Sequence, residues 1–110
     1  MPATIYPEPP QIGSITVSNP VSGATITMAS TNRSLYINNS TVLAALTIWM
    51  PPNVPSGEYV ILCFANSITA LSIRDDIGGP VSQAPTNAFG PGAAIELRYV
   101  DGPTGWVYWK

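Results

Sequence analysis

YVILCFA, Tyr59 to Ala65, is the stretch on which the fold turns. Successive side chains of a strand point to opposite faces, and here both sets are apolar: Tyr59, Ile61, Cys63 and Ala65 on one side, Val60, Leu62 and Phe64 on the other. Such a strand is central in its sheet, or its outer face is covered by something else. Elsewhere the pattern is one-sided. In ATITM, Ile26 and Met28 alternate with Thr25 and Thr27, and in AIELRY, Ile95, Leu97 and Tyr99 alternate with Glu96 and Arg98. Each of these strands has one wet face.

Further out, short runs rich in Ile, Val, Thr, Tyr and Trp recur at intervals of about ten residues, separated by Gly, Pro, Asn and Ser, the rhythm of an all-β sandwich or barrel. The candidate strands are Ile12 to Val17, Ala24 to Met28, Ser34 to Asn38, Ala45 to Met50, Tyr59 to Ala65, Ala70 to Ile73, Ala94 to Val100 and Trp106 to Trp109. About eight strands predict a jelly-roll-like sandwich or a small β-barrel. PPNVPSGE, Pro51 to Glu58, carries three prolines that cannot donate ladder hydrogen bonds, and must be a loop. VDGPTGW near the end reads as a tight reversal, because Asp101 and Gly102 suit positive backbone dihedrals. NNSTVLAAL has room for one helical turn.

The first eleven residues differ. Prolines at 2, 7, 9 and 10 withhold amide donors and favour an extended arm. The expected organisation is therefore an arm over 1–11 and a single β domain over 12–110, the length at which one core forms.

Composition excludes several kinds of chemistry. Charged residues make up 9% of the chain, against roughly 25% in an average soluble protein. Weak charge gives little protection against self-association, so a dimer or trimer is expected. A net charge of -2, with only Arg33, Arg74, Arg98 and Lys110 as cations, argues against nucleic acid, whose phosphates need clustered Lys and Arg. There is no histidine, and the lone Cys63 has no disulfide partner within the chain. The usual zinc sites therefore lack their ligands, and no cofactor is expected. No apolar run is long enough for a membrane helix. MPATIYPEPPQ has neither the basic start nor the apolar stretch of a secretory signal, so synthesis and folding in a cytoplasm are expected.

Asp75 and Asp76 are the only adjacent acidic pair. On an extended chain they point apart, and the following IGGP makes a turn in which their carboxylates bond nearby amides the simpler reading. A glycan-processing enzyme would have to pair one of them with Glu58, Glu96 or Asp101, two carboxyls roughly 5 to 9.5 Å apart across a cleft. Cys63, between Leu62 and Phe64, reads as core. No serine lies in a nucleophile elbow, and no histidine is present to serve as its base. The aromatics remain. WVYW places Trp106 and Tyr108 on one face and Val107 and Trp109 on the other, and Trp and Tyr are enriched at binding hot spots. Trp49 alternates with Ile48 and Met50 and has the same two readings, core or contact.

The order of motifs, LAALTIWMPPNVPSGEYVILCFANSITALSI, then GGPVSQAPTNAFGPGAAIELRYV, then GWVYWK, resembles a β-rich module of tailed-phage virion proteins. In that module a strand of TLTLP type precedes a proline-glycine loop, an apolar strand, a strand of ITALT type, a glycine-rich turn with AP, and a final WY with a basic residue. The resemblance covers Thr25 to Lys110. Such modules occur at the ends of tail fibres and as small separate proteins that decorate capsids, and the proline-rich arm without a fibre shaft looks more like a capsid decoration or cement protein. The resemblance implies no catalytic residues. It implies a virion protein, made in the bacterial cytoplasm and bound to the outer capsid surface, with the major capsid protein as partner. Ile5, Tyr6 and Pro7 of the arm, with Tyr108 and Trp109, are the expected contacts. The alternative it leaves open is a receptor- or glycan-binding module of a tail fibre or spike.

Overall fold

The structure, a computed structural model, describes residues 15–77, 79–81, 83–101 and 104–110, with backbone alone for 15–17. Its elements are β1 (Ile15–Ser18), β2 (Ala24–Thr27), β3 (Ser34–Ile37), β4 (Leu43–Trp49), β5 (Tyr59–Phe64), β6 (Ile68–Arg74), β7 (Ala93–Tyr99) and β8 (Trp106–Tyr108). Seven of the expected strands are present with ends shifted by up to two residues. For the first, Ile12 to Val17, the described part is Ile15–Ser18, and residues 12–14 fall outside the described set. The turn of helix expected in NNSTVLAAL is absent. Asn39 is buried there and the chain enters β4 at Leu43. No helix among the described residues is long and apolar enough to cross a membrane.

Among the described residues the fold is all-β in two open sheets, with no closed barrel. Nor is it the antiparallel Greek key of a jelly roll. From β1 to β6 the chain alternates between the sheets, so that one sheet has the order β1-β3-β5-β7-β8 and the other β2-β4-β6. The pairs β1–β3, β3–β5, β2–β4 and β4–β6 are all parallel. Ile15, Ser34 and Ile61 lie side by side in the first sheet, and Thr27, Trp49 and Arg74 in the second. The chain thus winds as a flattened coil with two strands per turn, each turn resting on the one before, which is the logic of a solenoid.

Alternation within each strand builds the core between the sheets. Leu35, Ile37, Val60, Leu62, Phe64, Ile95 and Leu97 point inward from the larger sheet, and Leu46, Ile48, Leu71 and Ile73 from the smaller one. Each fully buried aliphatic or aromatic side chain of this kind contributes about 1.5–3 kcal/mol. Met28 and Met50, just past the ends of β2 and β4, are buried with them. Trp106 is buried against Tyr99 in an edge-to-face contact, ring centroids 5.5 Å apart.

A solenoid leaves an unpaired edge at its last turn, and exposed edges invite aggregation. Here β7 adds to β5, and β8 to β7, as antiparallel strands. On the other sheet, residues 79–81 and 83–88 run along β6: Val81 N–H donates to Ile73 O at 3.1 Å, Leu71 N–H to Thr86 O at 2.8 Å, and Ile68 exchanges hydrogen bonds with Ala88 at 2.9 and 3.0 Å.

The corners where the chain leaves the larger sheet are tied by asparagines. Asn38 Nδ2 donates to Asn19 Oδ1 at 3.0 Å. Asn39 Nδ2 donates to Thr41 O at 2.9 Å and Ser67 O at 3.4 Å, while Asn66 N–H donates to Asn39 Oδ1 at 3.1 Å. Asn66 Nδ2 in turn donates to Asn39 O at 3.1 Å. One buried amide therefore links two successive turns. Buried polar groups are tolerated on this condition, that their hydrogen bonds are made.

Candidate functional site

β5 is the middle strand of the five-stranded sheet, as its two-sided apolar pattern requires. Its inward set, Val60, Leu62 and Phe64, is fully buried, and Tyr59, Ile61 and Cys63 lie on the outer face. Cys63 is half-buried there rather than in the core. The same alternation that buries Leu62 and Phe64 turns the residue between them outward. Register then sets the neighbours: Tyr36 beside Cys63, Ser34 and Glu96 on either side of Ile61, and Arg98 beside Tyr59.

This outer face is a shallow apolar groove running into a charged and aromatic end. A hollow of about 320 Å³ is lined by Ser34, Leu35, Tyr36, Ile61 and Cys63. A second, of about 380 Å³, is lined by Ile61, Ala94, Ile95, Glu96 and Lys110, and the two share Ile61. At the far end Arg98 is flanked across β7 by two rings. Its guanidinium carbon lies 5.4 Å from the Tyr59 ring centroid and 4.8 Å from that of Trp109. Each such contact contributes about 0.5–1 kcal/mol at an exposed site. Arg98 Nε also donates to Glu96 Oε2 at 2.8 Å, and Trp109 N–H donates to Glu96 O at 2.8 Å. Side-chain and backbone contacts together hold the Trp109 ring in place although it is 54% exposed.

The carboxylates considered for catalysis are each occupied elsewhere or stand alone. Asp75 Oδ1 accepts from Ile77 N–H at 3.0 Å and Gly79 N–H at 2.8 Å, the turn its sequence context predicts. Asp76 is exposed beside it. Glu58 Oε2 accepts from Nε of the buried Arg33 at 2.7 Å, and Arg33 Nη1 also donates to Ser30 O and Asn32 O. Asp101 Oδ1 accepts from Thr104 N–H at 2.7 Å. Among the described residues no group of three or more His, Cys, Asp or Glu could hold a metal ion.

Of the residues expected at contacts, Trp109 stands on the outer face, and Tyr108, on the opposite side of β8, is exposed. Ile5, Tyr6 and Pro7 lie outside the described residues. Trp49 is half-buried in the smaller sheet, paired with Thr27 and Arg74. Sequence reasoning missed Tyr36, Tyr59, Ile61, Arg98 and Glu96 as one constellation. Alternation in YVILCFA and AIELRY placed each on a face, but only the pairing of β3, β5 and β7 brings those faces together. No family model, curated protein or solved structure matches the chain.

Proposed function

We propose that this chain is a non-enzymatic structural protein of a phage virion, which attaches to the outer surface of the head and stabilises it by bridging neighbouring major capsid protein subunits. The observation that carries the reading is the outer face of the five-stranded sheet, an apolar groove ending in Tyr59, Arg98 and Trp109. Tyr, Trp and Arg dominate binding hot spots, and the centres of interfaces are depleted in charge. The low charge of the whole chain and the resemblance of Thr25 to Lys110 to tailed-phage virion modules support the same reading. Attachment acts by linkage. A protein that binds the assembled lattice and not its dissociated subunits stabilises the lattice, and repetition over many copies makes modest affinity sufficient. The contacts are Tyr36, Tyr59, Arg98 and Trp109 on the face, Tyr108 on the other side of β8, and Ile5, Tyr6 and Pro7 of the arm.

Imaging of purified virions tests this directly, with density of this size on the head as the expected result. Deleting residues 2–11, or Trp109→Ala with Tyr59→Ala, should weaken binding to heads at least tenfold, equivalent to about 1.4 kcal/mol. A protein that leaves heads undecorated at any concentration sinks the proposal. The exposed rings of Tyr59 and Trp109 favour one other reading, a receptor- or glycan-binding module of a tail fibre or spike. It requires density at the tail tip and binding to oligosaccharides.

A further inference from the structure

We propose that the outer face of the five-stranded sheet selects a carboxylate, an Asp or Glu side chain of the protein partner, seated on Arg98 with an apolar neighbour in the groove beside Ile61. This rests on the attachment reading above and names what the face recognises.

Arg98 is pre-organised for that task. Rings on two sides and a 2.8 Å hydrogen bond from Nε to Glu96 fix its guanidinium, so little rotamer freedom is lost when a ligand arrives. Nε is the atom that Glu96 occupies. Among the described residues Nη1 and Nη2 donate to no acceptor, and the side chain is 37% exposed while that of Glu96 is 13% exposed. The free edge of the fork is thus open to solvent, and its paired N–H groups match the two oxygens of a carboxylate.

A protein partner fits better than an acidic sugar because of what lies alongside. The adjoining hollow is walled by Leu35, Tyr36, Ile61 and Cys63, with Ser34 as its polar side chain. Sugar hydroxyls placed there would lose water and find only the Ser34 and Tyr36 hydroxyls as partners, which costs free energy for each group left unpaired. An aliphatic or aromatic side chain meets no such cost. On an extended partner segment, residues two apart share a face, so an apolar residue and an acidic one at that spacing reach the groove and Arg98 together.

The test is a titration of the full chain, followed by the side-chain N–H resonances of Arg98 and Trp109. The probes are the capped peptide Leu-Ser-Glu, its counterpart Leu-Ser-Gln, and D-glucuronate. The Glu peptide should shift both resonances, with the Gln peptide about fivefold weaker or more, as expected when a charge-assisted pair becomes neutral. Arg98→Gln, with its backbone spectrum otherwise intact, should lose that preference. Equal affinity for the Glu and Gln peptides, no shift with either, or tighter binding of glucuronate than of the Glu peptide each overturns the carboxylate proposal. None of these depends on particle imaging, so a failure here is distinguishable from a failure of the capsid reading.

Discussion

Replacing Asn39 by alanine removes the amide that ties two turns of the coil. The buried side chain donates to Thr41 O and Ser67 O and accepts from Asn66 N–H. Alanine leaves Asn66 N–H and Thr41 O without the partner Asn39 supplied, while Ser67 O still accepts from Leu43 N–H at 3.1 Å. A net hydrogen bond contributes about 1 kcal/mol, and an orphaned buried group costs about 1–3 kcal/mol. The 3.4 Å contact is weak, so the loss should be about 3 kcal/mol. For a domain of this length, with an unfolding entropy of about 2.1 cal/mol/K per residue, this lowers the melting midpoint by about 10–15 °C. Calorimetry or circular dichroism melts measure it, with urea unfolding at constant slope as the check that the ground states are unchanged. Asn39→Asp adds a sign. The introduced carboxylate faces the Thr41 and Ser67 carbonyls without an N–H to offer, and burial raises its pKa in the folded state. The variant is therefore destabilised at neutral pH and recovers as pH falls through that raised value, when the carboxyl can donate again. A midpoint within about 2 °C of wild type for Asn39→Ala, or an Asn39→Asp variant insensitive to pH, would refute the view that this amide staples the turns.

Three further outcomes are expected. Gly90→Ala brings a Cβ within 2.6, 2.7 and 2.9 Å of Asn66 C, Cα and N; because these are backbone atoms the corner must move, and denaturant unfolding should show a loss of about 1–3 kcal/mol, the usual range for overpacking. Asp75→Ala should cost about 1–2 kcal/mol by removing the acceptor for Ile77 and Gly79 N–H, whereas Asp76→Ala should stay within about 0.5 kcal/mol; equal effects from the two neighbours would contradict the turn geometry. Sedimentation at micromolar concentration should show a dimer or trimer, as a surface this poor in charge gives little repulsion; a strict monomer removes that inference.

Much of the architecture was legible in local pattern. Apolar alternation marked the strands within a few residues of their ends, the two-sided YVILCFA marked the middle of a sheet, and IGGP after Asp75 marked a turn. These are properties of one strand or one reversal, set by side-chain period and by the dihedrals of Gly, Pro and Asp. Cys63 shows where the local reading stops. Its neighbours Leu62 and Phe64 suggested core, and strict alternation within the same strand places it on the outer face.

What the sequence by itself determined is therefore the class of fold, the strands and the two faces of each, because period-2 patterning depends on burial alone. It did not determine which strands pair. A strand of given pattern serves equally in a parallel or an antiparallel ladder, and the equivalent positions Ile15, Ser34 and Ile61 are unevenly spaced, so no repeat announces the coil. Tertiary structure decided that β1 to β6 alternate between two parallel sheets, and with it the gathering of Tyr36, Ile61, Glu96 and Arg98 onto one surface. Those residues come from three strands far apart in the chain, and only hydrogen-bonded register places their side chains within reach of one another.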